Sequence, residues 1–174
     1  MNTLVSFRPA SPGFAGQFSV GVNTLAVFLE IPSRPDLAVI SIRDYSMSRK
    51  LPSFEGYLHV LPVHMLDTAE EHWRLPPGTW ADEPTASQHV EYCGEPDNYA
   101  PSLSHARAIH KFLTELHAET TRIDVVVHCS QGVSRSAAVA GWAAERFSIP
   151  LIDPAGQGLA EANPRLLRLL RGLR

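Results

Sequence analysis

The sequence predicts an α/β fold: a central, mostly parallel sheet of four to five strands flanked by helices. Three observations lead there. Strand-like and helix-like patterns follow one another as strand, strand, strand, long loop, helix, strand, helix, helix. The apolar strand near residues 124–128 hands over directly to a helix of small residues at 134–147, as a parallel sheet covered by helices requires. The composition, 44% hydrophobic and 19% charged, is that of a chain able to bury a core.

The β-branched or alternating runs Thr24 to Ile31, Leu37 to Ile42, Tyr57 to Val63 and Ile123 to His128 read as short strands. Pro62 cannot donate to a sheet ladder, so the third belongs at an edge or ends there. Ile109, Phe112, Leu113 and Leu116 recur at helical spacing between Ser104 and Leu116, with Ser102 or Ser104 as cap. Ser134 to Phe147 reads as a helix buried on most sides and stopped before Pro150. Asn163 and Pro164 form a cap and first-turn pair for a last helix, whose leucines 166, 167, 169, 170 and 173 dock on the core. Arg165, Arg168 and Arg171 fall on its other side and read as a solvated face without function. Residues 68–100 lack periodicity, are rich in Glu, Pro and Thr, and read as a lid or insertion.

The 174 residues fit one domain spanning 1–174. A formal net charge of −3, from 15 basic and 18 acidic residues, lacks the positive field of a nucleic-acid binder. No apolar run approaches the roughly 20 residues of a membrane span. The first residues lack the basic flank and apolar stretch of a secretory signal, so the expected location is the cytoplasm. Cys93 and Cys129 are too few for a disulfide framework, and both are expected as thiols. Nothing beside Cys93 suggests a resolving partner for Cys129, and it reads as incidental.

The chemistry concentrates where the strand ends: His128-Cys129-Ser130-Gln131-Gly132-Val133-Ser134-Arg135-Ser136. A loop wrapped around a helix N-terminus turns backbone N–H groups inward and, with the helix dipole, cradles an anion such as phosphate. Gly132 permits a loop conformation that a side chain obstructs, and the Arg135 fork holds two phosphate oxygens at once. The same field favours a thiolate at Cys129 and makes it a nucleophile.

This segment resembles the cysteine-dependent protein tyrosine and dual-specificity phosphatases, whose signature is His-Cys, five residues, Arg, then Ser or Thr. His128 to Ser136 matches it throughout. The likeness to small microbial members extends over Ala38 to Asp67, the helix at Ser104 to Leu116 and the closing Asn163-Pro164-Arg165 helix. It implies a phosphatase-like sheet with the phosphate-binding loop between strand 124–128 and helix 134–147. By that resemblance Cys129 attacks phosphorus, and Arg135 with the loop residues Ser130, Gln131, Gly132, Val133 and Ser134 binds the phosphate oxygens. Ser136 helps release the thiolate, and His128 supports the loop and the thiolate.

The resemblance also implies a loop aspartate that protonates the leaving oxygen and then activates water. Asp67 follows the strand Tyr57 to Val63, where family members place theirs. Asp97 lies roughly half as far upstream of Cys129, a spacing common in the family, within Pro96-Asp97-Asn98-Tyr99-Ala100-Pro101, which echoes a Pro-Asp-x-x-x-Pro loop. Asp67 ranks first, Asp97 second and Asp82 third. No cofactor or metal is implied, and the eight histidines lack ligand spacing. The expected partner is a phosphorylated protein, with phosphotyrosine the leading ester and phosphoserine or phosphothreonine also open. A phospho-binding module with little turnover and a rhodanese-type sulfurtransferase are the competing readings.

Overall fold

The computed structural model describes residues 19–44, 52–94, 98–153 and 159–173. Five parallel strands form one sheet in the order β3-β2-β4-β1-β5: β1 (Val20–Thr24), β2 (Leu37–Arg43), β3 (Val60–His64), β4 (Asp124–Cys129) and β5 (Leu151–Ile152). The helices are α1 (Leu25–Phe28), α2 (Ala86–Cys93), α3 (Leu103–His117), α4 (Arg135–Phe147) and α5 (Pro164–Arg171), with a 3-10 turn at Glu70–Trp73. The predicted α/β class and parallel sheet are thus observed. Among the described residues no helix is long and apolar enough to cross a membrane.

Every residue of β2 is buried, because this strand has neighbours on both edges and layers on both faces. Strand alternation then divides the core. Ala38, Ile40, Ile42, Val125, Val127 and Cys129 join the cluster that includes buried residues of α3, α4 and α5. Leu37, Val39 and Val126 meet Leu25 and Phe28 of α1 in the second cluster. β3 is an edge strand, and that is where Pro62 sits.

Two strand expectations shift and one strand is added. The run Thr24 to Ile31 is not a strand: β1 ends at Thr24, and the Thr24 hydroxyl accepts the Val27 N–H at 3.1 Å to cap a helical turn. Spacing three apart lets Leu25 and Phe28 face inward while Val27 stays exposed. β3 begins at Val60 rather than Tyr57, whose hydroxyl instead donates to the Ile31 carbonyl at 3.2 Å. β5 is a two-residue strand beside β1 that no sequence pattern announced.

The later helices follow their caps. Ser102 and His105 form a reciprocal capping box at the start of α3, which buries Ala106, Ile109, Leu113 and Leu116. Asn163 caps α5 ahead of Pro164. Segment 68–100 carries regular structure: the 3-10 turn and α2, itself opened by a Thr85/Gln88 capping box. Trp80 and Tyr92 stack within it at 4.4 Å between ring centroids.

The reading of Arg165 as solvent-facing is corrected. Its side chain is wholly buried: Nε donates to the Pro101 carbonyl at 2.6 Å, Nη2 to the Ala81 carbonyl at 2.6 Å and Nη1 to Glu70 Oε1 at 2.8 Å. Arg168 Nη2 donates to the same Glu70 oxygen at 2.6 Å. Burial acts to raise the Glu70 pKa, but its backbone hydrogen bond and the two guanidinium groups prevail and hold it below the usual value. Only Arg171 keeps the expected solvated setting, paired with Glu145. α5 therefore grips segment 68–100 by charge, while its leucines pack on the core with α3 and α4. Arg165→Met should cost about 3 kcal/mol of stability in urea unfolding, because two carbonyls and a buried carboxylate lose a partner. A loss under about 1 kcal/mol speaks against this role.

Candidate active site

Parallel pairing brings the carboxyl ends of three adjacent strands to one edge of the sheet, where α/β proteins bind ligands. β4 ends at Cys129, Asp44 follows β2, and Asp67 lies just beyond β3. Asp44, Asp67, Cys129, Ser130, Gln131, Val133, Ser134 and Arg135 line one cavity of about 210 Å³. Cys129 and Arg135 are both almost wholly buried.

The loop after Cys129 folds back on its own sulfur. Gly132 N–H donates to Cys129 Sγ at 3.2 Å, and Ser136 Oγ lies 3.2 Å from the same atom. A backbone amide and a hydroxyl are the partners that an anionic sulfur accepts. Gly132 has a φ of +78°, and a Cβ there would stand 2.8 Å from Thr24 N and 2.9 Å from the Asn23 carbonyl carbon. Both obstacles are backbone, so the loop itself must yield to any side chain. α4 starts at Arg135, so its N-terminal dipole faces the cavity.

Arg135 is fixed by groups from two other strand ends. Nη1 donates to Asp44 Oδ1 and, at 2.6 Å, to the Met65 carbonyl. Nη2 lies 3.3 Å from Asp44 Oδ2 and 3.4 Å from Ser130 Oγ, and Ser130 Oγ donates to Asp44 Oδ2 at 3.2 Å. Nε has no hydrogen-bond partner among the described residues and stands 4.0 Å from Asp67 Oδ2.

The three aspartate candidates separate. Asp67 is in the cavity, with Oδ1 accepting from Ser134 Oγ at 2.6 Å and from Asn163 Nδ2 at 2.8 Å. Asp82 belongs to a different hollow with Trp80, Arg107 and Arg168. Asp97 lies outside the described residues. Sequence reasoning missed Asp44 and Asn163. The strand-end rule, applied to β2 as it was to β4, points to Asp44; the Asn-Pro cap was noticed, but its reach to Asp67 left no local signal.

His128 sits behind the loop on the opposite face of the sheet from Cys129, stacked on Phe28 at 4.2 Å between ring centroids. Burial, aided by the charge of Arg43, pushes its pKa down to about 4, so the ring is neutral. Its support for the loop is therefore steric rather than that of a fixed positive charge. Cys93 packs against Trp80, Tyr92 and Ala100, and burial pushes its thiol up to about 11 despite the charge of Arg165. Both cysteines are free. Among the described residues no group of three or more His, Cys, Asp or Glu could hold a metal ion.

Residues 63–145 match the protein-tyrosine phosphatase family model, a span that runs from β3 through the 68–100 segment and the cysteine loop into α4. No curated protein and no solved structure matches the chain.

Two outcomes follow from this geometry. Gly132→Ala should weaken phosphate or vanadate binding at least about tenfold in calorimetric titration while the chain stays folded, since the clash lies in the loop backbone. Unchanged affinity means that the loop is not the cradle. For His128, the unfolded ring takes up a proton near 6.5 and the folded ring only near 4. Its stabilisation is thus complete above about pH 6.5 and lost as pH falls toward 4. His105, lowered to about 4 chiefly by burial, acts in the same direction. His128→Phe should therefore shrink the fall in Tm between pH 7 and pH 5 without removing it, since His105 and the likewise buried His89, also lowered, still contribute.

Proposed function

We propose that this chain, whose residues 63–145 match the protein-tyrosine phosphatase family model, hydrolyses phosphotyrosine esters of proteins through a phosphocysteine intermediate. The observation that carries the reading is the cavity: a cysteine sulfur accepting a loop amide, an immobilised guanidinium and a carboxylate across from them. Proteins carrying phosphate esters are the substrates that such a domain implies in general.

Cys129 sulfur attacks phosphorus as the bond from phosphorus to the tyrosyl oxygen breaks. Arg135, held by Asp44 and the Met65 carbonyl, keeps its Nε–H for one equatorial oxygen and reaches a second by exchanging the long Nη2 contact to Ser130, and the start of α4 offsets their charge. Asp67 gives its proton to the leaving oxygen, and the departing phenol carries that proton away. The Asp67 carboxylate then takes a proton from water, the oxygen of which bonds to phosphorus and breaks the sulfur–phosphorus bond. Inorganic phosphate leaves, with Ser136 beside the sulfur to receive the returning thiolate. Asp67 is preferred to Asp82 because it shares the cavity with Cys129 and Arg135. The single phosphatase domain acts in the cytoplasm, where Cys129 stays reduced.

Cys129→Ser should abolish release of phosphate from both a phosphotyrosine peptide and p-nitrophenyl phosphate. Asp67→Asn should lower peptide turnover by about 10²-fold or more and p-nitrophenyl phosphate turnover far less, because an acidic phenol leaves almost unaided. Peptide turnover by Cys129→Ser near that of the parent protein rules the mechanism out. Equal loss of both substrates in Asp67→Asn returns the acid's role to another residue, with Asp97 tested next.

A further inference from the structure

We infer that Asn163 is a positioning residue for the general acid, fixing which oxygen of Asp67 carries the proton. The inference rests on the reading of Asp67 as that acid. Asn163 is completely buried at the head of α5, and its polar atoms are committed in three directions. Its backbone N–H donates to the Ser134 carbonyl at 3.1 Å, tying α5 to the end of the phosphate loop. Its Oδ1 accepts the Leu166 N–H at 2.9 Å, which caps the helix. Its Nδ2 donates to Asp67 Oδ1 at 2.8 Å and to the Thr68 carbonyl at 3.2 Å. The cap fixes the orientation of the amide, because only the oxygen can accept from Leu166. The NH₂ group is thereby aimed at the acid.

The two oxygens of Asp67 become unequal as a result. Oδ1 accepts from both Asn163 Nδ2 and Ser134 Oγ. The Ser134 hydroxyl can turn to donate or to accept, but the Asn163 NH₂ can only donate, so it is the Asn163 contact that makes Oδ1 the carbonyl oxygen and places the proton on Oδ2. Oδ2 is the oxygen that stands 4.0 Å from Arg135 Nε, on the side where the phosphate is held. Asn163 thus holds the acid in a single rotamer with its proton toward the leaving group, a gain of orientation rather than of binding. The segment bearing Asp67 is anchored a second time by Glu70 on Arg165 and Arg168, also from α5. Among the described residues none from α5 lines the cavity around Cys129, yet the cap of this helix sets the geometry of proton transfer.

The test uses Asn163→Ser, since serine still caps a helix but is too short to reach Asp67. Expected is at least a tenfold fall in kcat for a phosphotyrosine peptide, a fall of less than about threefold for p-nitrophenyl phosphate, and little change in KM, within the range that general acid catalysis contributes. In an Asp67→Asn background the same substitution should add little further loss, because the group it orients is already gone. Should serine compromise folding, as read by Tm, Asn163→Asp keeps both cap and volume while setting a carboxylate against Asp67. It should give the same substrate discrimination. Equal losses on both substrates, or a full additional loss on top of Asp67→Asn, overturn the inference and leave Asn163 a helix cap only. If Asp67→Asn itself fails to discriminate between the substrates, the reading of the acid fails and this inference falls with it. Discrimination by Asp67→Asn without discrimination by Asn163→Ser or Asn163→Asp defeats the inference alone.

Discussion

The pairing of β2 with β3 on one side and β4 on the other governs the chemistry of the cavity. In a parallel sheet every strand presents its carboxyl end to the same edge, so Asp67, Asp44 and Cys129 arrive together from segments far apart in the chain. A slip of one residue in β4 would turn Cys129 to the face now held by His128 and Phe28. Register is protected by burial: Val125 and Val127 fill one cluster and Val126 the other, so any slip exposes apolar surface to the wrong neighbours.

Two buried arginines carry the next level of organisation, and each acts through geometry rather than free charge. Asp44 neutralises most of the field of Arg135, which weakens its pull on a distant dianion but holds the fork in one orientation. Attraction then falls more heavily on the backbone amides and the start of α4. Arg165 plays the matching part in the 68–100 segment, where a completely buried guanidinium meets Glu70 and two carbonyls and lies 5.5 Å from the centre of the Trp80 ring. The cysteine loop and the acid-bearing segment are built separately and meet at Ser134, Asp67 and Asn163.

Legibility in the sequence followed the range of the interactions. β2 and β4 were readable because strands buried on both faces give continuous apolar runs, and the cysteine loop because its residues are consecutive. α2 escaped a search for apolar periodicity since it buries His89 and Tyr92, although its Thr85/Gln88 capping box was present in the sequence. β5 is too short to leave a pattern. Arg165 was misread because arginines spaced along a leucine-rich helix are ordinarily solvated, and its partner Glu70 lies 95 residues away. Asp44 went unread because it stands just past the predicted strand Leu37 to Ile42, and only the folded sheet brings it against Arg135.

The setting of Cys93 bears on how this protein would meet oxidants. With its thiol pushed up to about 11, roughly one molecule in ten thousand carries a Cys93 thiolate at neutral pH. Peroxide that converts Cys129 to a sulfenic acid would therefore find no competent internal thiol to trap it as a disulfide. Recovery would depend on glutathione or another external thiol reaching a cavity of about 210 Å³, and where that supply fails, the sulfur is exposed to irreversible overoxidation.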